Sequence, residues 1–362
     1  MGAPRYSAAD HLHMARALQL AARGLTTTSP NPRVGCVIVR DGRVVGEGWH
    51  ERAGTPHAEV HALNAAGKAA RGATVYVTLE PCSHHGRTPP CAEALIEAGV
   101  VRVVAAMSDP NPLVAGGGIS MLTLAGIAAE VGLMGAEARA LNPGFISRMT
   151  RQRPWVRLKT ASTLDGKTAL ANGASQWITG EAARADVQRL RARACAILTG
   201  SGTVLADNPR MNVRDLDIGR QPLRVVVDSA LRTPADAAIL PALIACHHAD
   251  PDRRAALEQA GAEVIELPGG DGRVDLAALL TLLAQRGVNE LHVEAGAALN
   301  GALIAAGLVD EWVAYMAPMA VGDAARGLFA HPALTSLADA ARFKLADVRQ
   351  IGSDLRLTLL PA

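Results

Sequence analysis

Short apolar segments rich in β-branched residues alternate with helix-like segments along this chain, and this alternation restricts the fold to few architectures. Such an order is typical of an α/β sheet with parallel neighbours. Ser7 with Asp10 three residues later is a helix N-cap signature, and Asp41-Gly42 favours a tight hairpin turn. The pattern in the first half predicts helices over residues 10–23, 57–70 and 91–98 and strands over 34–39, 44–48, 74–79 and 100–106.

The chain has 362 residues, which is too many for one ordinary hydrophobic core. A polar stretch that ends at Pro154 predicts a linker over residues 150–154, because proline biases its predecessor to extended geometry. We therefore expect two different α/β domains, 1–150 and 151–362, with no internal repeat. The second half is predicted to hold strands over 155–162, 194–199, 223–228, 263–267, 290–294 and 311–316 and helices over 181–193, 252–260, 275–286 and 297–306.

Charge and hydropathy exclude several classes of function. Lysine plus arginine (36) nearly balance aspartate plus glutamate (34), and no basic stripe is present, so we expect no nucleic-acid partner. The sequence has no uninterrupted apolar run of about 18 residues, so we expect no membrane span. The N-terminus also lacks the apolar region of a secretory signal. The five scattered cysteines are typical of thiols or metal ligands in a reducing compartment, so a cytoplasmic location is expected.

A histidine and two cysteines form the most informative group in the sequence. His57 opens one predicted helix, Cys91 opens another, and Cys82 follows Pro81 shortly before it. One imidazole and two thiolates suit zinc and leave a fourth position for water. Helix N-termini also help to keep thiolates ionised. The sequence therefore predicts one zinc ion per chain.

Glu59 lies two positions after His57, so it can reach zinc-activated water without binding the metal. There it would accept the proton of the water and pass protons to the ring nitrogen and the departing ammonia. H-x-E with P-C-x-x-C is the signature of zinc deaminases, but here eight residues separate Cys82 from Cys91. A structural zinc clip, or two unrelated buried thiols, are the alternatives.

Three stretches carry a resemblance to the bifunctional deaminase/reductase family of riboflavin biosynthesis: residues 78–82 (TLEPC) with 87–91 (RTPPC), 30–35 (PNPRVG) and 109–112 (DPNP). In the second half the likeness continues at 158–167, 175–179 and 204–209. It implies a cytidine-deaminase-like three-layer domain followed by a dihydrofolate-reductase-like domain. It also implies hydrolytic deamination of a phosphoribosylaminopyrimidine and then NADPH-dependent reduction of its ribosyl group to ribityl.

The same resemblance implies site residues. It assigns zinc to His57, Cys82 and Cys91, proton transfer to Glu59, and weaker substrate roles to Asn31, His50 and His84. Asn31 could instead be a turn residue and His84 a solvated loop tip. The implied cofactor contacts are Ala161, Trp177, Thr203, Asp207, Ser229, Gly296, Ala297, Ala298, Leu299, Asn300 and Gly301, and the implied substrate contacts are Ser175, Arg191, Met211, Arg214 and Glu294.

The residues of the second half leave alternatives open. Arg191 and Arg214 suit a phosphate because guanidinium offers paired donors, yet Arg191 could lie on a solvated helix face. Trp177 could belong to the core, and either Lys159 or Asp165 could supply a proton. The second half lacks a G-x-G-x-x-G fingerprint. In the first half, the glycine cluster at 115–118 is predicted to be a loop.

Two other readings compete with the small-molecule enzyme. A nucleic-acid base deaminase would share the zinc chemistry, but the short cysteine spacing and a basic surface are missing. A metal-stabilised scaffold that senses a nucleotide would not need Glu59. Exposed apolar strands in the second domain predict a homodimer or higher homo-oligomer.

Overall fold

The computed structural model describes residues 5–84, 89–112, 115–331 and 333–362. The chain divides into two compact units, Met1–Gln152 and Arg153–Ala362, two residues beyond the predicted boundary. The predicted linker is shorter than expected, because a helix runs as far as Arg151. Residues 87 and 88 of the RTPPC stretch lie outside the described residues.

The first unit contains a five-stranded mixed sheet of order β2-β1-β3-β4-β5. β1 pairs antiparallel with β2 and β3, whereas β3, β4 and β5 run parallel. Its elements are α1 (Ala8–Ala22), β1 (Gly35–Arg40), β2 (Arg43–Trp49), α2 (Ala58–Ala66), a 3₁₀ turn (Gly67–Ala70), β3 (Thr74–Val77), α3 (Cys91–Glu97), β4 (Arg102–Ala105), α4 (Gly117–Leu124), β5 (Ala128–Val131), α5 (Gly135–Leu141) and α6 (Pro143–Arg151).

Local sequence signals explain two features of this unit. Ser7 and Asp10 form the predicted capping box at the start of α1, which satisfies backbone N–H groups that the first helical turn leaves free. Asp41 and Gly42 both have positive φ, 51° and 75°, and join β1 to β2 as the hairpin signal predicts.

Two glycines let α2 lie directly on β2. A Cβ atom at Gly46 would come within 2.2 Å of the Ala62 carbonyl oxygen, and one at Gly48 within 2.4 Å of the Ala58 carbonyl oxygen. Any larger residue would therefore push the helix away. This close packing sets the depth at which the first turn of α2, which carries Glu59, lies in the unit.

The prediction that residues 115–118 form a loop is wrong in part, because Gly117 and Gly118 form the first turn of α4. Gly118 lies so close to the backbone of Pro81 that a Cβ would meet its carbonyl oxygen at 1.8 Å. The glycines thus serve close helix packing. β5 and α5 were also not predicted, since each is short. α6 was not predicted either, because its polar C-terminal end was taken for a linker.

The second unit is built on a nine-stranded sheet of order β11-β10-β9-β8-β12-β6-β13-β16-β15, beside a two-stranded ribbon of β7 and β14. Its elements are β6 (Trp155–Thr163), β7 (Lys167–Ala169), α7 (Glu181–Arg193), β8 (Ala196–Gly200), α8 (Ser201–Asp207), β9 (Leu223–Val227), β10 (Leu243–Cys246), α9 (Pro251–Gln259), β11 (Glu263–Glu266), α10 (Leu276–Gln285), β12 (Glu290–Val293), α11 (Ala297–Ala305), β13 (Glu311–Ala317), β14 (Arg326–Gly327), β15 (Phe343–Ile351) and β16 (Asp354–Pro361).

Both faces of this sheet are covered at its central strands. Neighbouring residues of β8 separate into different cores, with Ile197 packing against Val226 and Ile244 and Leu198 packing on the other side among buried leucines such as Leu291. Successive side chains of a strand point to opposite faces, and a parallel sheet is normally buried on both. The seven strands from β11 to β13 in this order are mutually parallel, and β16 pairs antiparallel with both β13 and β15.

Among the described residues, no helix combines the length and apolar character that crossing a membrane requires.

Candidate functional site

In the first unit, the predicted zinc ligands lie together. The Nδ1 atom of His57 lies 3.3 Å from Sγ of Cys91 and 3.7 Å from Sγ of Cys82. All three donor atoms lie within 4.8 Å of one another. His57 is the N-cap of α2 and Cys91 is the first residue of α3, so the two helices begin at the same point.

This donor set fits zinc. Tetrahedral zinc with its usual bond lengths holds a nitrogen and a sulfur donor roughly 3.5 Å apart, which agrees with the two distances above. The backbone N–H of Cys91 donates to Sγ of Cys82 at 3.3 Å. Hydrogen bonding from the Cys91 thiol, together with His57 and this N–H, lowers the pKa of Cys82 below that of an ordinary thiol. A thiol that ionises readily is a ready metal ligand.

Glu59 lies in the first turn of α2 and is 3% exposed. Burial raises its pKa to about 7, which the neighbouring His57 partly opposes. A carboxyl with a pKa near neutrality can both accept and return a proton. Glu59 is therefore placed beside the metal ligands with a proton affinity suited to shuttling.

Asn31 and His50 form a pair beside these ligands. Nδ2 of Asn31 lies 3.0 Å from Nε2 of His50, and the ring of His50 meets the ring of His57 edge-on with centroids 5.5 Å apart. His50 is buried, and burial lowers its pKa, so it is held neutral. His84 is exposed, which agrees with the alternative interpretation that it lies at a solvated loop tip.

Glu80 is a buried carboxylate whose role the sequence did not reveal. Its Oε2 atom accepts hydrogen bonds from the N–H groups of Asp109 and Gly116, and its Oε1 atom from those of Gly118 and Ile119, all at 3.1–3.2 Å. It precedes Pro81 and Cys82 in the chain. Glu80 therefore ties the cysteine segment to the loop after β4 and to the first turn of α4.

The second unit contains a cleft of about 1770 Å³, large enough for a dinucleotide and a small substrate together. Its lining includes every cofactor and substrate residue that the resemblance implied for this half except Gly301. Gly301 is buried in α11, where a Cβ would meet the Ala330 carbonyl oxygen at 2.2 Å. Glycine is required at that position because the backbone of Ala330 packs directly against it.

A cluster of buried charges lies at the bottom of this cleft. Nε and Nη2 of Arg191 donate to the two carboxylate oxygens of Glu294 at 2.5 and 3.0 Å. Nζ of Lys159 lies 3.9 Å from the same carboxylate, and Nε2 of His292 lies 3.2 Å from it. Arg191 is 9% exposed, so its alternative position on a solvated helix face is wrong.

Burial and neighbouring charges determine how this cluster ionises. Desolvation lowers the pKa of Lys159, an effect that Glu294 opposes and Arg191 reinforces. Desolvation likewise lowers the pKa of the fully buried His292, which is therefore neutral. The Glu294 carboxylate is kept ionised despite its burial, chiefly by Arg191.

Two further residues clarify alternatives left open by the sequence. Trp177 is 67% exposed and lies under the guanidinium of Arg184, 4.5 Å from the ring centroid, so it lines the cleft and is not part of the core. Asp165 accepts hydrogen bonds from the Thr163 hydroxyl and from two backbone N–H groups, which lower its pKa to about 2. An acid this strong is a poor proton donor at neutral pH.

Comparison with known proteins matches each unit to a family. Residues 7–107 match the cytidine and deoxycytidylate deaminase zinc-binding region, and residues 154–357 match the RibD C-terminal domain. The riboflavin biosynthesis protein RibD of Escherichia coli is 51% identical over 98% of this chain and 100% of its own length. Its Haemophilus influenzae counterpart is 49% identical over 98% of both chains.

Solved structures agree. The chain superposes on Acinetobacter baumannii RibD with a TM-score of 0.91 at 47% identity, covering 98% of this chain and 99% of that one. A Thermotoga maritima diaminohydroxyphosphoribosylaminopyrimidine deaminase/5-amino-6-(5-phosphoribosylamino)uracil reductase gives 0.86 at 32% identity with the same coverage. Zinc for the deaminase and NADPH for the reductase are the corresponding cofactors. The chain belongs to the RibD family of bifunctional deaminase/reductases of riboflavin biosynthesis.

Proposed function

We propose that the first unit deaminates 2,5-diamino-6-(5-phosphoribosylamino)pyrimidin-4(3H)-one and that the second reduces the ribosyl group of 5-amino-6-(5-phosphoribosylamino)uracil to ribityl with NADPH. The convergence of His57, Cys82 and Cys91 beside the buried Glu59 carries the first half of the proposal. The activities for which the Thermotoga maritima protein is named support the choice of substrates.

In the first unit, Nδ1 of His57 and the thiolates of Cys82 and Cys91 would hold zinc. When bound there, zinc lowers the pKa of water towards neutrality. Glu59 accepts the proton of the attacking water, passes one to the ring nitrogen and delivers one to the leaving ammonia. Its pKa of about 7 suits both directions of transfer.

Asn31 and His50 orient the pyrimidine. Their side chains meet at 3.0 Å beside His57, and the amide offers both a donor and an acceptor to the edge of a base. Because the backbone carbonyl oxygen of Pro56 lies 3.1 Å from Nδ1 of His50, we assign the proton to Nδ1 and leave Nε2 as an acceptor for the Asn31 amide. We also assign the exposed His84, two residues after Cys82, to contact with the phosphoribosyl group.

In the second unit, the cofactor is assigned to Ala161, Trp177, Thr203, Asp207, Ser229 and the N-terminal end of α11 with its N-cap, residues 296–300. The substrate is assigned to Ser175, Met211, Arg214 and the Arg191–Glu294 pair, all of which line the same cleft. Arg214 binds the phosphate, since its guanidinium offers paired donors to an oxyanion. Arg191 is held by Glu294, so it positions that carboxylate towards the sugar hydroxyls.

Lys159 supplies the proton that accompanies hydride transfer. It lines the cleft beside Glu294, and burial lowers its pKa, which makes the ammonium a better acid than an exposed lysine. When bound, NADPH provides the hydride. Asp165 is excluded because its carboxylate is committed to the loop at residues 321–322.

Two copies of the chain are proposed to associate through β15 and β16 in the cytoplasm. These strands form one end of the large sheet and expose Leu345, Val348 and Leu355. Exposed apolar side chains on a strand pair at the edge of a sheet favour association between two chains.

Ammonia release tests the first activity. Zinc-loaded protein given the diaminopyrimidinone should release ammonia, and protein stripped with a chelator should not until zinc is restored. Absence of ammonia from the zinc-loaded protein would contradict the assignment of the first unit.

A further inference from the structure

The residues assigned to NADPH follow four neighbouring strands. Ser229 lies beyond the end of β9, Thr203 beyond β8, Gly296 beyond β12, and Ala161 lies on β6, and these strands are adjacent in the order β9-β8-β12-β6. Strands lie about 4.8 Å apart, so the row spans roughly 14 Å, comparable with an extended dinucleotide. Lys159 and Glu294 lie on β6 and just after β12, which puts the reacting nicotinamide there and the adenosine at β8 and β9.

An arginine reaches from the segment after β9 to the start of α8 at this adenosine end. Gly200 and Val227, the last residues of β8 and β9, are register partners, so the segments that follow them are adjacent. Nη2 of Arg232, in the segment after β9, donates to the hydroxyl of Ser201, the first residue of α8, at 3.2 Å. Both residues line the cleft.

The charge of Arg232 is available to a ligand. Among the described residues, no carboxylate lies within 4 Å of its guanidinium. By contrast, Arg191 is bound by Glu294, and Arg273 on the cleft wall lies 3.5 Å from Asp271. Arg232 is exposed between the buried Leu231 and Thr233, so the turn presents it outwards.

The carboxylate at the end of β9 faces inwards. Asp228 follows β9 directly and is fully buried, where it accepts hydrogen bonds from the N–H and hydroxyl groups of Thr233 at 2.6 and 2.7 Å. In dinucleotide sites, an acid at the end of a strand binds the ribose 2′-hydroxyl of NADH, whereas an arginine accommodates the 2′-phosphate of NADPH. Here the acid is engaged elsewhere and the arginine is free.

We infer that Arg232, with the Ser201 hydroxyl, binds the 2′-phosphate of the cofactor and makes the reductase prefer NADPH to NADH. This inference rests on the proposed function of the second unit. It names a specificity-determining residue that lies outside the set implied by family resemblance.

Steady-state kinetics with both cofactors test the inference. Arg232→Gln removes the charge and should lower kcat/KM for NADPH by at least about tenfold, because a charge-assisted contact to phosphate is lost. The value for NADH should change by less than about twofold, since NADH lacks that phosphate. Arg253→Gln is the matched control: its guanidinium supports the same turn through the Ala230 carbonyl oxygen, at 2.8 Å, without lining the cleft.

Calorimetric binding of adenosine 2′,5′-bisphosphate and of AMP provides a readout independent of turnover. Wild-type protein and the Arg253→Gln control should bind the bisphosphate more tightly, whereas Arg232→Gln should bind the two compounds alike. Equal losses for NADPH and NADH, or a bisphosphate preference that survives Arg232→Gln, would overturn the inference while leaving the reductase assignment intact. A wild-type protein that does not oxidise NADPH would overturn both.

Discussion

Glu59 and His57 share the first turn of α2, so one helix start sets the position of both the metal ligand and the acid–base group. The sequence spacing of these residues with Cys82 and Cys91 was enough to predict that they lie together. Helix N-termini explain why, since they bring backbone N–H groups and ligands to one point. The geometry adds the burial that places the pKa of Glu59 near 7.

Replacing Glu59 by Gln should abolish deamination without loss of metal. The amide keeps the size of the side chain but accepts no proton, so ammonia release should fall by roughly 10²–10⁴-fold. Zinc content, measured by atomic emission, should remain one per chain because Glu59 is not a ligand. A variant that releases ammonia at the wild-type rate would disprove the role of Glu59.

Zinc affinity should rise with pH. Hydrogen bonding to Cys82 raises the pKa of His57, and Cys82 together with burial raises that of Cys91. Both groups must lose their protons to bind zinc, so protons compete with the metal more strongly as the pH falls. Competition with a chromophoric chelator between about pH 6 and 8 measures this dependence; an affinity that is flat or falls with pH would contradict it.

For the reductase, we expect the opposite pH dependence, with activity falling as the pH rises. The ammonium form of Lys159 is the proposed donor, and burial lowers its pKa, so reduction should be lost as the pH rises through a value below that of an ordinary lysine. Lys159→Gln should lower the reduction rate by about 10²-fold or more and remove this alkaline limb. The control is Lys167→Gln, whose ammonium donates to the backbone carbonyl oxygen of Asp323 at 3.3 Å. An unchanged pH profile in Lys159→Gln would exclude Lys159 as the donor.

At the scale of elements, Glu80 links three segments that are far apart in sequence. Its partners lie 29 to 39 residues away and are all backbone N–H groups. No pattern of side chains in the sequence could therefore have predicted these hydrogen bonds. The glycine cluster was predicted to be a loop for the same reason. Only the structure shows that Glu80 stabilises the first turn of α4 against the cysteine segment.

Glu80→Gln should destabilise the protein and loosen the zinc site. An amide can accept hydrogen bonds on one side only, and its NH₂ group faces donors, so the loss should be about 2–4 kcal/mol of unfolding free energy. Zinc should also transfer faster to a chelator. Glu97→Gln, on the exposed side of α3, is the control, and equal behaviour of the two variants would refute the linking role.

Other elements escaped prediction for identifiable physical reasons. The register of β15 shifts between Leu345 and Asp347, which breaks the alternation that marks a strand. α8 spans only seven residues from Ser201, too few for helical periodicity to emerge. By contrast, α7 matches its predicted bounds, because its thirteen residues keep helical spacing and a well-marked strand, β8, follows soon after them.

At the scale of the whole molecule, two units with different sheets each contain a candidate site, a metal-donor cluster in the first and a large cleft in the second. The family assignment removes both the nucleic-acid deaminase and the nucleotide sensor as readings, since neither accounts for the reductase unit. Sequence reasoning could find the two halves and the zinc ligands. It named Arg191, Glu294 and Lys159 but could not predict that they form one buried cluster with His292, because the members come from β6, α7 and the end of β12 and meet only in the folded sheet.

The central claim is that one chain performs two successive reactions, a hydrolysis and then a reduction. Mass spectrometry of the diaminopyrimidinone incubated with zinc-loaded protein, with and without NADPH, tests it most directly. Without NADPH, the product should have exchanged one amino group for oxygen; with NADPH, it should also have gained two hydrogen atoms. A substrate that stays unchanged, or a hydrogen gain that does not require NADPH, would contradict the account.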